Sequence, residues 1–263
     1  MKERNGIRPM VHHESRQPQR AIVEFLTFWF ASEITVHGIE NLKSTQELIA
    51  EGKKIIFAAN HLSHADYPVV FEAIKRSGFG EIAEKTIPLE GRRVEENKAT
   101  RPLIPAYNTI LIWPPTILPA NEKERQEKFS MDRNALKYVK WNLNHGYHLV
   151  IFPEGGRSKT GKLTDGHPGA AHFSTLADNA FVVPVGIMGT ENILPPGRFL
   201  PDRGYPTVTF GEPIKVDAIK EMFKHSGNQD MRKEMINFVM EAIADCLAPS
   251  YRGVYSKGSY AKA

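Results

Sequence analysis

A histidine and an aspartate stand five residues apart, directly after a short apolar run of the sequence. The run covers residues 53–59, KKIIFAA, and the motif after it is Asn60-His61-Leu62-Ser63-His64-Ala65-Asp66. A carboxylate that binds one imidazole nitrogen fixes the tautomer of the ring, which leaves the other nitrogen free to act as a general base. We therefore predict that His61 and Asp66 are catalytic, with Asp66 orienting His61. No serine or cysteine nearby resembles a nucleophile, so the base would act on a hydroxyl of the substrate.

A second group of small and charged residues follows another apolar run, residues 148–152. It is Pro153-Glu154-Gly155-Gly156-Arg157-Ser158, and two lysines come within the next four residues. Glycines let backbone N–H groups approach an oxyanion closely, and arginine can bind a phosphate through two hydrogen bonds. Glu154 would either hold Arg157 in place or accept a hydrogen bond from a substrate hydroxyl. The G-x-x-x-x-G-K-[ST] spacing of a nucleotide-binding P-loop is absent.

Both motifs also have simpler interpretations, which the residues alone leave open. His61 could be a buried histidine beside a helix cap, since Ser63 and Asp66 have the S-x-x-D spacing of a capping box and predict a helix that begins near His64. The basic loop could be a solvated turn. A metal site formed by His61, His64 and Asp66 is a further alternative, but their spacing matches no strong pattern such as H-E-x-x-H, and no metal is predicted.

The elements that carry these motifs alternate between apolar runs and amphipathic segments. We predict strands at 53–59, 109–112, 148–152, 181–187 and 207–210, helices at 45–50, 66–76, 131–144 and 169–177, and a helical C-terminal part at 216–247. This alternation is typical of an α/β fold with a largely parallel central sheet flanked by helices. Ligands bind beyond the carboxyl ends of the strands in such sheets. Both motifs are therefore expected at one edge of the sheet, where they would transfer a group onto a phosphorylated alcohol.

The first 36 residues are predicted to form a basic tail and an amphipathic helix, ahead of an α/β domain at 37–263. At helical spacing one side of this helix is apolar, and it consists of Ile22, Phe25, Leu26, Trp29 and Phe30. That side would either pack on the core of the domain or lie at a membrane interface, which aromatic residues next to basic ones favour. The sequence has no run of eighteen apolar residues that could span a bilayer.

The composition excludes some classes of protein and leaves several ligands open. The 34 basic and 30 acidic residues give a net charge of +4, which suits an anionic partner without identifying it. A single cysteine excludes a disulfide scaffold and a four-thiolate zinc site. Residues 102–121 carry no charge and include five prolines, which prevent a continuous helix. This segment is predicted to be a buried strand with proline-rich flanks.

The motifs resemble those of the glycerophospholipid acyltransferases. Asn60-His61-x-Ser63-x-x-Asp66 resembles the first motif of this family, and Phe152-Pro153-Glu154-Gly155-Gly156-Arg157-Ser158 resembles its F-P-E-G-T-R-S motif. Val183-Pro184-Val185 and Gly189-Thr190 are similar to the fourth motif, and all stand in the family order between residues 36 and 216. The resemblance implies that His61 is the general base and Asp66 its orienting carboxylate. It also implies that the acceptor's phosphate and glycerol are bound by Glu154, Gly155, Gly156, Arg157 and Ser158.

The implied reaction is direct transfer of a fatty acyl group from acyl-CoA or acyl-carrier protein to a glycerol hydroxyl, without a cofactor or a nucleic-acid partner. The first choice of activity is 1-acyl-sn-glycerol-3-phosphate acyltransferase, at the cytoplasmic side of a membrane as a peripheral protein. Glycerol 3-phosphate and other lyso-lipids are alternative acceptors. In such an enzyme the uncharged segment 102–121 would be part of an acyl-chain groove or a lip that touches the membrane, as an alternative to a buried strand. The Gly-Gly form of the loop resembles the glycerol-3-phosphate branch, and the family's second motif lacks its arginine, because Ile112 leads to Trp113-Pro114-Pro115. The alternative from a different class is a non-catalytic protein that binds membrane lipid.

Overall fold

The structure of the protein is a computed structural model that describes residues 10–95, 101–170, 178–195, 201–225 and 227–256. The strands of these ranges are β1 (Thr35–His37), β2 (Lys54–Ala59), β3 (Thr86–Gly91), β4 (Ile110–Ile112), β5 (His148–Ile151), β6 (Ala180–Met188), β7 (Thr207–Phe210) and β8 (Ile214–Lys215). The α-helices are α1 (Gln17–Phe30), α2 (Ile39–Ala50), α3 (Asp66–Arg76), α4 (Gly80–Glu84), α5 (Glu122–Asn144), α6 (Val216–Met222) and α7 (Asn228–Asp245).

The described strands form one sheet in the order β1-β7-β6-β2-β5-β3-β4, and β8 also pairs with β6. The pairs β1/β7, β2/β5, β2/β6, β3/β4 and β3/β5 are parallel, whereas β7 and β8 run antiparallel to β6. The predicted α/β fold with a largely parallel central sheet is confirmed. The fold places β2 at the centre, between β5 and β6.

The central strands are buried on both faces, because helices cover each side of the sheet. Ile56 and Ala58 of β2 pack with α5, α6 and α7, and Ile55 and Phe57 pack on the opposite side with α1 to α4. Successive residues of a strand point to opposite faces, which explains why the apolar run of β2 is continuous rather than alternating. The motif that contains His61 therefore follows a strand that is packed on both faces.

Most predicted elements are present, but several boundaries differ. Helix α2 begins at Ile39 rather than at residue 45, and α5 begins at Glu122 rather than at residue 131. The first turn of α5 is capped by the side chain of Asn121, which accepts a hydrogen bond from the Glu124 N–H at 2.9 Å. The predicted helical C-terminal part is confirmed as α6 and α7. Of the helix predicted at 169–177, residues 171–177 lie outside the described part.

Helix α1 presents to solvent three of the five residues on the side that was predicted to be apolar, Ile22, Phe25 and Trp29. Phe25 is 63% exposed and Trp29 is 55% exposed, whereas Val23 and Ala31 are buried. The predicted apolar side is therefore divided: Phe30 packs against the core and Leu26 lines a cavity under the helix, whereas the other three residues are exposed. The physical reason is a set of ion pairs on the other side of the helix. Arg20 binds Glu24 at 2.8 Å and also Glu84 of α4, and Glu24 binds Lys75 of α3 at 3.0 Å.

The N-terminal segment contacts the domain along the described part of its length. The backbone of His13 pairs with that of Thr109 beside β4, and the Met10 N–H donates to the side chain of Asn142 at 3.1 Å. Position 36, at which the predicted segment ends, lies inside β1. None of the helices in the described ranges combines the length and the hydropathy that crossing a bilayer requires.

Candidate active site

Three loops meet at the carboxyl edge of the sheet. The loop with His61 follows β2, the glycine-rich loop with Arg157 follows β5, and Gly189-Thr190 follows β6. Because β2 is paired in parallel with both β5 and β6, the three loops are direct neighbours. The sequence-based expectation that the two charged motifs share one edge of the sheet agrees with this arrangement.

His61 and Asp66 form a short contact, 2.7 Å from Nδ1 to Oδ2. Asp66 is fully buried and accepts three further hydrogen bonds, from the N–H groups of Leu62 at 2.6 Å and Ser63 at 2.9 Å and from the hydroxyl of Thr190. Four donors thus converge on one carboxyl group, three of them on Oδ2. Since the carboxylate accepts from Nδ1, the proton of neutral His61 lies on Nδ1, and Nε2 keeps a lone pair that can accept a proton.

The start of α3 differs from the predicted capping box. The helix begins at Asp66, and the Ser63 hydroxyl accepts from the N–H of Ala65 at 3.1 Å and donates to the carbonyl of Leu194 at 2.9 Å. Asp66 does reach back to the Ser63 N–H, as the acidic residue of a capping box does. The departure is that the Asp66 N–H donates to the Ser63 carbonyl at 3.3 Å rather than to the Ser63 hydroxyl.

The glycine-rich loop fixes both the ring and the backbone of His61. The imidazole stacks on Phe152 with ring centroids 4.2 Å apart. The His61 N–H donates to Oε1 of Glu154 at 2.8 Å, and the His61 carbonyl accepts from the Ser158 N–H at 2.7 Å. The side chain of His61 retains 19% exposure, so it is held in place but accessible.

Glu154 is buried, and both of its oxygens are bonded within the protein. Besides the bond to His61, Oε2 accepts from the N–H of Thr164 at 2.9 Å and from its hydroxyl at 2.6 Å. Burial raises the pKa of Glu154, against these hydrogen bonds, which lower it. The predicted contact with Arg157 is absent. The observed contacts are those of a residue that positions the loop, and they use three of the roughly four acceptor positions of the carboxylate.

The remaining small residues of the loop shape it in different ways. Gly155 has φ of +69°, and a Cβ atom there would lie 2.4 Å from Cγ of Pro115, so a side chain would be strained and would clash. A Cβ atom on Gly156 would meet little. The Ser158 hydroxyl donates to the carbonyl of Lys162 at 2.6 Å, which closes the loop on itself.

Arg157 is the cation of this site that has no acidic partner among the described residues. Its side chain is half-buried, and it lies near enough to affect both His64 and Asp66 electrostatically. Burial, followed by the nearby charges of Arg157 and His61, lowers the pKa of His64 to about 4. His64 is therefore neutral at physiological pH, and the guanidinium of Arg157 is free to bind an anion.

An apolar cavity of about 160 Å³ adjoins the loop that carries His61. His64 and Ala65 line it on the side of the catalytic pair, and Leu103 and Ile104 line it from the uncharged segment at 102–121. That segment contains β4 as predicted, and its cavity-lining residues agree with the alternative of an acyl-chain groove. Helix α1 covers the cavity with the face opposite to its exposed aromatic residues.

Two residues important for the geometry were not assigned a role from the sequence. The side chain of Asn60 binds both backbone groups of Ile187 in β6, at 2.7 and 2.8 Å, and so anchors the end of β2. Thr190 donates to Asp66 from 124 residues away in the chain. The sequence did offer one indication for Thr190: it follows the strand predicted at 181–187, at the same edge of the sheet as the two charged motifs. Among the described residues no group of three His, Cys, Asp or Glu side chains could hold a metal ion.

The carboxylate-held histidine, the guanidinium of Arg157 and the apolar cavity thus lie together at one edge of the α/β sheet. The sequence model of the Acyltransferase family matches residues 33–188, more than half of the chain. The protein belongs to this family and is an acyltransferase, as its motifs predicted.

The fold is similar to that of a solved bacterial enzyme. In the crystal structure of the 1-acyl-sn-glycerophosphate acyltransferase PlsC from Thermotoga maritima, the matched region has a TM-score of 0.53 at 20% sequence identity. The match covers 87% of this chain and 80% of that chain. At this level of identity the similarity establishes the fold. No curated protein matches the sequence.

Proposed function

We propose that this protein transfers a fatty acyl group from a thioester, acyl-CoA or acyl-carrier protein, to a hydroxyl of a glycerol phosphate acceptor, with lysophosphatidate as the first choice. The observation that carries this proposal is the position of Arg157. Its guanidinium has no acidic partner in the described structure and lies beside the His61–Asp66 pair, next to an apolar cavity. A phosphate, a hydroxyl and an acyl chain could thus be bound at one place.

In the proposed mechanism, Nε2 of His61 takes the proton of the acceptor hydroxyl as its oxygen attacks the thioester carbonyl. The new C–O bond forms, the C–S bond breaks, and the thiol leaves with the proton that His61 returns. Asp66 holds the ring and stabilises the imidazolium that forms in between. Arg157 binds the acceptor phosphate, and the step requires no protein nucleophile, metal or cofactor.

An acceptor panel tests this proposal. Labelled acyl-CoA and acyl-carrier protein would each be offered with glycerol 3-phosphate, lysophosphatidate and neutral lyso-lipids. We expect lysophosphatidate to give the highest kcat/KM. A preference for glycerol 3-phosphate would assign the protein to the alternative that its Gly-Gly loop suggests, and equal use of lyso-lipids without phosphate would contradict the role of Arg157. The absence of transfer to every acceptor would favour the non-catalytic alternative.

The variant Arg157→Ala is expected to raise the KM for the phosphorylated acceptor by roughly 10- to 150-fold, with a smaller effect on kcat. The loss of one charged hydrogen bond corresponds to about 1.5–3 kcal/mol. Steady-state kinetics with the acceptor varied would measure it. Arg133→Ala removes an exposed cation of α5 and is the matched control. A change confined to the acyl-donor KM would show that Arg157 binds the donor instead.

We also propose that α1 lies on the cytoplasmic side of a membrane. Four large apolar side chains, those of Ile22, Phe25, Phe28 and Trp29, are exposed on this helix, although exposed apolar patches of this kind are unusual in soluble monomers. At 100° per residue they form one contiguous stripe. The opposite face of α1 covers the cavity, so an acyl chain would leave the lipid directly beside the site.

The double variant Phe25→Ser, Trp29→Ser is expected to bind anionic phospholipid vesicles about a hundredfold more weakly. Withdrawing two aromatic side chains from lipid removes on the order of 3 kcal/mol of apolar burial. Vesicle co-sedimentation would measure the partition. Phe129→Ser removes an exposed aromatic side chain of α5 and provides the control, because it lies outside the stripe. Equal partition of the double variant and the unaltered protein would exclude α1 as the membrane contact.

A further inference from the structure

The chain makes a tight turn directly after β4, within the uncharged segment. The Ile117 N–H donates to the Pro114 carbonyl at 3.0 Å, which closes a β-turn with Pro115 and Thr116 at its centre. A proline at the first central position fixes the φ angle that the common β-turns require there. The buried ring of Trp113 closes the turn further, because its Nε1–H donates to the Ile117 carbonyl at 2.9 Å. The backbone of Thr116 is therefore held in place.

This turn lies against the glycine-rich loop, residue by residue. Pro115 occupies the space in which a Cβ atom on Gly155 would lie, at 2.4 Å. The next residue of the turn faces the next residue of the loop, because Oγ1 of Thr116 lies 3.9 Å from the position of a Cβ atom on Gly156. Gly156 is not in the left-handed region, so its backbone does not require a glycine. The γ atoms of a larger side chain there would reach the space that holds the Thr116 hydroxyl.

Several donors at this junction have no acceptor in the described part of the chain. They are the N–H groups of Gly156 and Arg157 and the exposed hydroxyl of Thr116. The N–H groups on either side, those of Gly155 and Ser158, donate to carbonyl groups of the protein. Consecutive N–H groups of a turn that point away from the protein form a concavity that binds anions. With the guanidinium of Arg157 beside them, these donors indicate an anionic ligand.

We infer that the Thr116 hydroxyl binds the phosphate of the acceptor, together with the free N–H groups and the side chain of Arg157. The inference rests on the proposed acyl transfer to a phosphorylated acceptor. A phosphate carries three terminal acceptor oxygens, so it can bind donors from both loops at once. In the motif F-P-E-G-T-R-S a threonine stands at the position of Gly156. The Gly-Gly form of this loop then reflects a hydroxyl that comes from the turn after β4, rather than a different acceptor.

The first test removes the hydroxyl and keeps the shape of the side chain. In Thr116→Val the KM for lysophosphatidate is expected to rise about tenfold, the lower end for a hydrogen bond to a charged group. Values of kcat and of the KM for acyl-CoA should stay within about twofold. Thr116→Ser retains the hydroxyl and should keep the acceptor KM within about twofold. Leu118→Ala is the matched control, because it truncates an 87% exposed side chain of the same segment.

The second test moves the hydroxyl to the other loop. Thr116→Ala should raise the acceptor KM as Thr116→Val does, and addition of Gly156→Thr should return it to within about threefold of the unaltered value. A KM does not depend on the fraction of protein that folds, so a destabilised variant is still informative.

Three results would overturn the inference and leave the proposed function standing. They are an unchanged acceptor KM in Thr116→Val when Arg157→Ala raises it, a Thr116→Ser variant as weak as Thr116→Val, and a double variant with a KM no lower than that of Thr116→Ala. If the unaltered protein transfers no acyl group to any phosphorylated acceptor, the proposed function fails and the inference fails with it.

Discussion

Replacing His61 by alanine is expected to lower kcat for acyl transfer by about 10²- to 10⁴-fold, which is the range that a positioned general base contributes. Without the imidazole, the acceptor hydroxyl would have to lose its proton to water as it attacks the thioester. The fold should persist, because the backbone of His61 is held by Glu154 and Ser158 rather than by its own side chain. Single-turnover transfer from labelled acyl-CoA would measure the change.

The matched control for this variant is His225→Ala, which removes an exposed histidine that follows α6. Thermal unfolding of His61→Ala should remain a single transition near that of the unaltered protein. Turnover of His61→Ala close to normal would rule out the proposed base. Loss of the folded transition would instead show that the ring stack on Phe152 contributes to stability.

The variant Asp66→Asn is expected to lower kcat by about 10²- to 10⁴-fold and to leave the geometry of the site nearly unchanged. The reason is that an amide can orient His61 but cannot stabilise its imidazolium. It should also destabilise the protein by about 1–3 kcal/mol. Three of the donors bind Oδ2 and the Thr190 hydroxyl binds Oδ1, so an asparagine N–H₂ group would face either the three donors or a hydroxyl that has to turn round and accept. Acyl-transfer kinetics and denaturant unfolding would separate the two effects.

Thr190→Val is the graded comparison, since it removes only the hydroxyl that donates to Oδ1 of Asp66. We expect Thr190→Val to lose less kcat than Asp66→Asn does. This order of the two kcat values should be the same with every acceptor. Equal kcat in Asp66→Asn and the unaltered protein would show that the carboxylate is a structural cap and nothing more. That outcome would restore the simpler interpretation of the motif.

The part of the site that could be predicted from the sequence is the part that is local in the chain. His61 and Asp66 are five residues apart and meet within one turn. The neighbourhood of Arg157 also follows from sequence, because parallel strands bring the loops after them to one edge. The contact of Thr190 with Asp66 could not be derived, since it depends on the β6 loop folding over the start of α3. The use of Glu154 by the backbone of His61 depends on loop geometry in the same way.

In the fold, too, local features could be predicted from the sequence and long-range contacts could not. The long apolar runs that became β2, β5 and β6 were predicted because strands buried on both faces are continuous in their hydrophobicity. Strand β3 was missed, since Pro88 within it is a signal against a strand, and β1 and β8 are too short to show a pattern. Periodicity predicted that α1 is amphipathic but not which side faces the domain. The pairing of Arg20 with Glu84 decides that, and it joins residues 64 positions apart.

The backbone ties between the two loops have a consequence for how this enzyme can be altered. The backbone N–H of His61 donates to Glu154 and its carbonyl accepts from Ser158, so the base is hydrogen-bonded directly to the anion-binding loop. A displacement of this loop would therefore displace His61. A glycine-rich loop grafted from a homologue with another acceptor preference would therefore shift the imidazole as well. Exchange of substrate specificity between such enzymes should succeed when the loop after β2 and the loop after β5 are replaced together.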